Sequence, residues 1–102
     1  PTLSEFETLK SAVGNNSNAL KKIGQGSGSG TGTNTSGFSA LLAGLRNYAG
    51  FFDYLGNYTY FWVSLEREDG YVYSFSLYYE HSIITSAYYN KNYGFSVRCI
   101  KD

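Results

Sequence analysis

The chain has 102 residues, of which 16% are charged and 19% aromatic, and its 8 Lys and Arg residues balance its 8 Asp and Glu residues. This length fits one domain with a modest core. Because the net charge is zero, the chain lacks the basic field that a phosphate backbone requires, so we expect no nucleic-acid partner. We also expect no membrane span, because no apolar run approaches the ~20 residues that one needs.

The first residues predict a helix. Thr2 and Glu5 have the spacing of a capping box, in which the Thr2 hydroxyl accepts from the Glu5 amide and the Glu5 carboxylate accepts from the Thr2 amide. Phe6, Leu9 and Val13 then recur on one helical face. The Gly-Asn-Asn that follows tolerates the left-handed backbone of a helix end, so we expect the helix to end near Val13.

A polar segment follows this helix. Residues 18–23 are compatible with another short helical turn. Gly, Ser and Thr dominate residues 23–37, a run that lacks the apolar surface needed to offset the entropy lost on ordering it. No Lys-Ser or Lys-Thr pair and no helix start follow the glycines, so the pattern of a phosphate-binding loop is absent. We expect a loop or linker here.

Residues 38–65 predict strands and turns. Residues 38–46 form an apolar run that is too short for periodicity to separate a strand from a helix. Gly44 and the Asn-Tyr-Ala-Gly at 47–50 favour a strand and a turn. Residues 58–65 have apolar side chains at both odd and even positions, as expected of a central strand that is covered on both faces.

The last third predicts a small antiparallel meander. A charged turn at residues 66–70 precedes residues 71–79, which alternate clearly and indicate a second strand. Residues 82–89 are rich in β-favouring types, and Asn90-Lys91-Asn92 is typical of a turn. The predicted fold class is therefore α+β, with one or two short helices near the N-terminus followed by a small, mainly antiparallel sheet.

Residues 93–100 have the cleanest alternation in the chain and predict a half-buried closing strand, paired with residues 58–65 or 71–79. Because side chains alternate along a strand, one face of it would carry Tyr93, Phe95, Val97 and Cys99. Cys99 is the only cysteine, so an internal disulfide is excluded. Three interpretations of Cys99 stay open: a small buried core residue, a disulfide with a partner outside this chain, and a catalytic thiol.

The residues that catalysis or metal binding would need are absent. One His and one Cys cannot form a closed zinc site. The acidic cluster at residues 66–69 is more typical of a solvated turn than of a calcium site. No nucleophile and base can be paired from these residue types. We therefore expect neither an enzyme nor a bound metal or cofactor.

Tyrosine is concentrated in one part of the chain. All 11 tyrosines lie between Tyr48 and Tyr93, among Asn, Ser, Gly and Thr, and this mixture is typical of recognition surfaces. Tyrosine is also favoured in strands, so a purely structural role stays open. Side chains in loops, or at outward-facing positions of the predicted strands, are the better candidates for ligand binding. They are Tyr54, Asn57, Tyr58, Tyr78, Tyr79, His81, Tyr88 and Tyr89.

Four sequence blocks resemble one known family. They are Pro1-Thr2-x-x-Glu5-Phe6-x-x-Leu9, Gly37-Phe38-Ser39-Ala40-Leu41, Tyr60-Phe61-Trp62-x-Ser64-x-Glu66 and Tyr93-Gly94-Phe95-Ser96-Val97-Arg98-Cys99. In this order and spacing they resemble the Fibrobacter succinogenes major paralogous domain. The resemblance implies a C-type-lectin-like fold, related to that of formylglycine-generating-enzyme-type domains, and a secreted or surface-anchored bacterial location. It implies no particular activity.

Two departures from the family pattern bear on the interpretation. Family members usually carry a Cys-Pro-x-Gly-Trp segment ahead of the Pro-Thr block, and its Cys would pair with Cys99. That segment is absent, so residues 1–102 resemble the C-terminal part of one C-type-lectin-like domain. The chain also has Val63 and Leu65 at two positions where the family tends to have Ser or Thr, a change either in packing or in binding.

Two functions follow as hypotheses. The first is a non-enzymatic extracellular module, secreted or anchored to a bacterial outer membrane, that recognises a glycan or protein on another cell or molecule. Its Tyr, Asn and Ser composition is also compatible with a diversified variable protein. The alternative is a structural or adhesive module of a surface or appendage assembly, in which self-assembly packs the tyrosines against a neighbouring subunit.

Overall fold

The computed structural model describes residues 1–101 and has an α+β architecture. Helix α1 (Leu3–Ala12) comes first, and short 3₁₀ turns follow at Ser17–Ala19 and Gly28–Gly30. The strands are β1 (Leu45–Arg46), β2 (Phe52–Asp53), β3 (Tyr58–Glu66), β4 (Val72–Tyr78) and β5 (Thr85–Tyr89). Strands β1 and β2 pair antiparallel, and β3, β4 and β5 form a second antiparallel sheet with β4 in the centre. The predicted α+β class is confirmed.

Helix α1 begins and ends where its sequence signals predict. The Thr2 amide donates to Glu5 Oε1 at 3.0 Å, and the Glu5 amide donates to Thr2 Oγ1 at 3.2 Å. These hydrogen bonds satisfy amides that the first helical turn leaves free, and they lower the pKa of Glu5. The helix ends at Ala12, with Val13 as its C-cap. Within residues 1–101, no helix is both long enough and apolar enough to span a membrane.

The core lies between α1 and one face of the larger sheet. Phe6 is 1% exposed, and its ring stacks on that of Phe75 at 4.4 Å between centroids. Phe75 in turn stacks on Phe61 at 5.1 Å. Burial of large aromatic side chains is the main source of stability in a domain of this size. Aliphatic side chains complete the core: Leu20, Leu42, Val63, Leu77 and Ile84.

A buried lysine organises the Gly-rich loop. Lys21 is fully buried, and its Nζ donates to Asn18 Oδ1 at 3.0 Å, to the Gly30 carbonyl at 2.8 Å and to the His81 carbonyl at 2.9 Å. Burial lowers the pKa of Lys21 to about 8. A Cβ on Gly30 would lie 2.1 Å from the Tyr79 carbonyl oxygen, so glycine is required there. Polar contacts and close backbone approach therefore order this loop, although it has little apolar surface to bury.

Two predictions about the middle strands need correction. The sequence predicts residues 58–65 as the central strand, but β4 occupies the centre and β3 has single bridges on its other side, to Gly44 and Ser96. Phe61 and Val63 of β3 are buried, whereas Tyr58 and Trp62 on its other face are half-buried. Residues 38–46 form a strand only at Leu45–Arg46. Ser39 and Gly44 have φ values of 58° and 72°, which interrupt an extended run.

The prediction of a closing strand at residues 93–100 is wrong. This segment makes only two isolated bridges, Gly94 antiparallel to Arg46 and Ser96 parallel to Phe61. One bridge is antiparallel and the other is parallel, and they belong to different partners, so they do not form one continuous ladder. Val97 is 63% exposed and Cys99 is exposed, so the interpretation of Cys99 as a buried core residue is also wrong.

Thr59 provides a test of packing in the core. Its side chain is fully buried, and within residues 1–101 its Oγ1 has no hydrogen-bond partner. An unpaired buried hydroxyl is destabilising relative to a methyl group of the same shape. We expect Thr59→Val to raise the free energy of unfolding by about 1 kcal/mol, measured by urea denaturation. Thr35→Val, at an exposed site, serves as the control, and a loss of stability in Thr59→Val would contradict the prediction.

Candidate functional site

The larger sheet has two chemically different faces. Strand pairing places Phe61 opposite Phe75 on the face beneath α1. On the other face, Tyr58 lies opposite Tyr78 and Tyr60 lies opposite Ser76. Because side chains alternate along a strand, the same sequence builds a core on one side and a surface rich in tyrosine on the other.

The aromatic rings on this second face are in mutual contact. The Tyr58 ring lies 4.5 Å from that of Tyr78 and 5.5 Å from that of Tyr60, centroid to centroid. Tyr54, in the turn before β3, meets Tyr58 edge to face at 5.4 Å. These separations are those of favourable aromatic pairs. Each ring is therefore held in place by its neighbours.

The closing segment extends this surface across the sheet. Phe95 lies 4.8 Å from Tyr60 and 4.2 Å from Trp62. Tyr89 of β5 meets Phe95 at 5.2 Å and Tyr93 at 5.5 Å. We call the whole surface the tyrosine face; its members are Tyr54, Tyr58, Tyr60, Trp62, Tyr78, Tyr89, Tyr93 and Phe95.

Small hydroxylic side chains form the floor of the tyrosine face. Ser74 Oγ donates to the Ala87 carbonyl at 3.4 Å, and the hydroxyls of Ser76 and Thr85 are hydrogen-bonded to each other. Ser74 and Ser76 are both buried. Burial, followed by the neighbouring Tyr89 and Tyr58, raises the pKa of Tyr60. The hydroxyl of Tyr60 therefore stays protonated, and the floor is neutral at physiological pH.

A carboxylate and an imidazole, those of Glu80 and His81, lie at one end of the tyrosine face. The Tyr78 ring lies 4.9 Å from that of His81, and the Tyr78 hydroxyl donates to Glu80 at 3.4 Å. A hydrogen bond to Glu80, together with burial, raises the pKa of Tyr79 to about 12. The Asn57 carbonyl accepts from the Tyr79 amide at 2.9 Å, which joins the turn before β3 to the end of β4.

The structure brings most of the predicted ligand-binding residues together. Tyr54, Asn57, Tyr58, Tyr78, Tyr79 and His81 cluster at one end, and Tyr89 joins them through Tyr60. Tyr88 lies apart, on the opposite face, where its ring is 5.1 Å from Tyr73 and 4.5 Å from the Arg67 guanidinium carbon.

Sequence reasoning missed four members of the tyrosine face: Tyr60, Trp62, Tyr93 and Phe95. Tyr60 and Trp62 share the parity of Tyr58 on β3, so strict alternation from Tyr58 would have found them. Phe95 and Tyr93 join through a segment without regular pairing, and no local signal identifies their position.

A separate apolar groove lies beside α1. It has a volume of about 280 Å³ and is lined in part by Phe6, Phe38, Phe61 and Cys99. Arg98 lies at its edge, with its guanidinium carbon 4.1 Å from the Phe38 ring centroid and Nη2 donating to the Phe38 carbonyl at 2.8 Å. Within residues 1–101, no group of three His, Cys, Asp or Glu side chains is placed to hold a metal ion.

The sequence-family model named Fibrobacter succinogenes major domain matches residues 1–101 of the chain. The chain belongs to this family. No curated protein and no solved structure matches it. Membership in the Fibrobacter succinogenes major domain family confirms the resemblance seen in the four sequence blocks, and it carries no activity with it.

The four blocks of the Fibrobacter succinogenes major domain pattern meet around the apolar groove. Phe6 comes from the first block, Phe38 from the second, Phe61 from the third and Cys99 from the fourth. Half of the tyrosine face also comes from these blocks: Tyr60 and Trp62 from the third, and Tyr93 and Phe95 from the fourth. The family pattern therefore contributes to both sides of the sheet.

The two apolar departures from the Fibrobacter succinogenes major domain pattern are packing changes. Val63 is 1% exposed and belongs to the core, and the half-buried Leu65 packs against it. Neither side chain belongs to the tyrosine face. Of the two interpretations left open by the sequence, the structure supports packing.

Proposed function

We propose that this protein is a non-enzymatic ligand-binding module that recognises a glycan or protein through its tyrosine face. The observation that carries the proposal is the unbroken contact of aromatic rings across one side of the sheet, with neighbouring centroids 4.2 to 5.7 Å apart. The apolar groove, in contrast, lies on the other side of the sheet, beside α1.

Physical reasons support recognition by such a face. Tyrosine gives a large amphipathic contact area with few rotatable bonds, so little conformational entropy is lost on binding. The ring contacts restrict that freedom before any ligand arrives. Ring faces suit the apolar faces of sugars or aromatic side chains, and phenolic hydroxyls at the ring edges suit polar groups. Since Glu80 and His81 lie only at one end, a ligand without strong net charge fits best.

The proposal includes a C-type-lectin-like fold and an extracellular location, either secreted or anchored at a bacterial outer membrane. A helix packed on a small antiparallel sheet with long ordered loops supports the fold. The location and the absence of catalysis rest on the resemblance and on the residue types. A diversified variable protein is a special case of the same proposal, because Tyr, Asn and Ser populate the tyrosine face and its surrounding loops.

The alternative function is a structural or adhesive module of a surface assembly. One observation favours it: Tyr48, Phe51, Phe52 and Leu55 are each at least 70% exposed in the described structure. Large exposed apolar patches mark interaction sites. This patch adjoins the tyrosine face, because Phe52 and Leu55 line a hollow together with Tyr54, and the two functions are compatible.

Substitutions on the two faces of the sheet test ligand binding. We expect Tyr58→Ala and Tyr89→Ala each to weaken binding by at least about tenfold, because central aromatic side chains dominate interface energies. Ligands would come from a glycan array and a displayed protein library, and affinity would be measured by titration. Tyr88→Ala is the matched control, since Tyr88 adjoins Tyr89 in sequence and lies on the opposite face.

The outcome is decisive if thermal unfolding shows that all three variants fold. Unchanged affinity in Tyr58→Ala and Tyr89→Ala would overturn the tyrosine face as the binding site. An equal loss in Tyr88→Ala would point to a general loss of structure.

A further inference from the structure

Four consecutive residues where β4 ends carry hydrogen-bonding groups beside the tyrosine face. They are Tyr78, Tyr79, Glu80 and His81, and we call them the polar end. The Tyr78 hydroxyl donates to Glu80 Oε2 at 3.4 Å, and the Tyr78 ring lies 4.9 Å from the imidazole of His81. The Tyr79 ring lies 4.9 Å from that of Tyr78. One carboxylate and one imidazole therefore adjoin the same pair of aromatic rings.

A backbone hydrogen bond fixes which nitrogen of His81 carries the proton. The Ile83 amide donates to His81 Nδ1 at 3.2 Å. A ring nitrogen that accepts a hydrogen bond has no proton of its own, so the proton of the neutral imidazole is on Nε2. Within residues 1–101, the bond from Ile83 is the one hydrogen bond that the His81 side chain makes. His81 therefore presents one N–H donor to a ligand.

Glu80 presents the complementary acceptor. Its side chain is exposed, and Oε2 accepts one long hydrogen bond from Tyr78. A hydrogen bond with Glu80 is also the main reason that the pKa of Tyr79 is raised. A carboxylate has about four acceptor positions, so Glu80 keeps acceptor capacity for a ligand. Neither ion pair within residues 1–101 includes Glu80.

A donor beside an acceptor selects the chemistry of the ligand. A cationic group such as a guanidinium offers donors alone, which would satisfy Glu80 and place another donor against the His81 N–H. A phosphate or carboxylate offers acceptors alone, and Glu80 repels it. A sugar hydroxyl both donates and accepts. The hydroxyls of one sugar therefore match both groups, because one donates to Glu80 while another accepts from His81.

The aromatic rings beside these groups suit the ring of a sugar. Tyr54, Tyr58 and Tyr78 are in successive contact, with centroids 5.4 and 4.5 Å apart. The C–H face of a sugar ring is apolar and packs on aromatic rings, while its hydroxyls project from the edge toward polar groups. The polar end and these rings together offer both kinds of contact.

The Gly-rich loop holds the backbone of the polar end in place. The Ser27 amide donates to the Tyr79 carbonyl at 2.8 Å. Lys21 Nζ donates to the His81 carbonyl at 2.9 Å, and Ser17 Oγ donates to the same carbonyl at 3.3 Å. Binding groups that are already ordered lose little entropy when a ligand arrives. The loop therefore positions Glu80 and His81 before binding.

We propose that the polar end is a subsite for one neutral sugar residue, whose hydroxyls donate to the Glu80 carboxylate and accept from His81 Nε2. The inference rests on the proposed function and narrows its ligand to a neutral glycan. The sugar ring packs on Tyr78. Uronates and sulfated sugars are excluded from this subsite by the charge of Glu80.

A glycan array followed by titration of the neutral glycans that bind tests the subsite. Glu80→Gln and His81→Phe are each expected to weaken binding by at least about fivefold, because each removes one hydrogen bond. Gln keeps the size of Glu, and Phe keeps a ring beside Tyr78. Glu68→Gln is the matched control, because Glu68 is exposed in the charged turn between β3 and β4, and it is expected to keep wild-type affinity.

Three outcomes overturn the subsite, provided that each variant keeps the wild-type melting temperature. The first is a set of ligands that contains no neutral glycan. The second is unchanged affinity in both Glu80→Gln and His81→Phe. The third is a loss in Glu80→Gln alone, because a cationic ligand would depend on the carboxylate and not on the imidazole.

Deoxy analogues of the bound sugar test the two contacts separately. The analogue without the hydroxyl that donates to Glu80 is expected to bind wild type at least about fivefold more weakly, and to lose no further affinity in Glu80→Gln. The analogue without the hydroxyl that accepts from His81 is expected to behave in the same way toward His81→Phe. Losses that add in full in both pairs overturn the subsite.

Tyr58→Ala and Tyr89→Ala separate this inference from the proposed function. If both weaken glycan binding and the polar-end variants do not, the tyrosine face is the binding site and the sugar subsite is wrong. If the polar-end variants alone weaken glycan binding, the subsite stands and the tyrosine face as a whole does not. A protein ligand that requires Tyr58 and Tyr89 supports the proposed function and overturns the sugar subsite.

Discussion

Replacement of Lys21 with Met is expected to lower the free energy of unfolding by about 3 kcal/mol. Met keeps the apolar stem and removes the ammonium group, which leaves Asn18 Oδ1 and the carbonyls of Gly30 and His81 without their donor. A buried acceptor that loses its partner costs about 1 to 3 kcal/mol. Urea denaturation followed by circular dichroism measures the change.

Lys22→Met is the matched control for this substitution. Lys22 adjoins Lys21 and is exposed, so the same chemical change there is expected to alter stability by less than about 0.5 kcal/mol. If Lys21→Met is as stable as Lys22→Met, the three hydrogen bonds do not hold the Gly-rich loop.

The pH dependence of stability gives a second readout of Lys21. Burial lowers the pKa of Lys21 from 10.5 to about 8 in the folded protein, so between these values the unfolded chain binds more protons than the folded one. The contribution of Lys21 to the free energy of unfolding is therefore fully present above pH 10.5 and is lost as the pH falls through about 8. We expect the urea midpoint to rise from pH 8 to about 9.5 in wild type and to stay flat in Lys21→Met.

The tyrosines set the upper limit of that pH window. The pKa of Tyr79 is raised to about 12, and that of Tyr60 is also raised. Groups with a raised folded-state pKa contribute stability below their unfolded value and lose it as pH rises above it. Stability is therefore expected to fall again above about pH 10 in both proteins.

Replacement of Phe6 with Ala is expected to lower the free energy of unfolding by about 4 kcal/mol, within the range measured for aromatic core residues. Phe6 is the fully buried residue of α1 and stacks on Phe75 at 4.4 Å. Its loss removes ring contacts and leaves a cavity between helix and sheet. Chemical denaturation monitored by tyrosine and tryptophan fluorescence measures the effect.

Two further variants keep this prediction testable if Phe6→Ala does not fold. Phe6→Leu retains most of the apolar volume and is expected to cost about 1.5 kcal/mol. Glu7→Ala, at the next and exposed position of α1, is expected to change stability little. Wild-type stability in both Phe6 variants would show that α1 does not dock on the sheet as described.

Local signals in the sequence determined several elements of the fold. The capping box at Thr2 and Glu5 places the start of α1, because it satisfies backbone amides within a few residues. The alternating runs and charged turn specify the antiparallel pairing of β3 and β4. The family pattern in the four blocks was also recognisable, and its residues meet around the apolar groove. For the helix and the hairpin, the deciding interactions lie close in sequence.

Long-range contacts decided the rest. Tyr88 and Tyr89 are neighbours in sequence, and only the pairing of β5 with β4 shows which of them joins the tyrosine face. Residues 93–100 alternate as a strand does, but they make only two isolated bridges, to Arg46 and to Phe61, and Cys99 is exposed.

The Gly-rich loop shows most clearly what the sequence determined and what long-range contacts decided. Its composition predicts a loop, and its order comes from one ammonium group that reaches the Gly30 and His81 carbonyls. The sequence by itself therefore determined the helix, the meander and the concentration of tyrosine. The tertiary structure decided which side chains face outward together, because that depends on contacts between residues far apart in the chain.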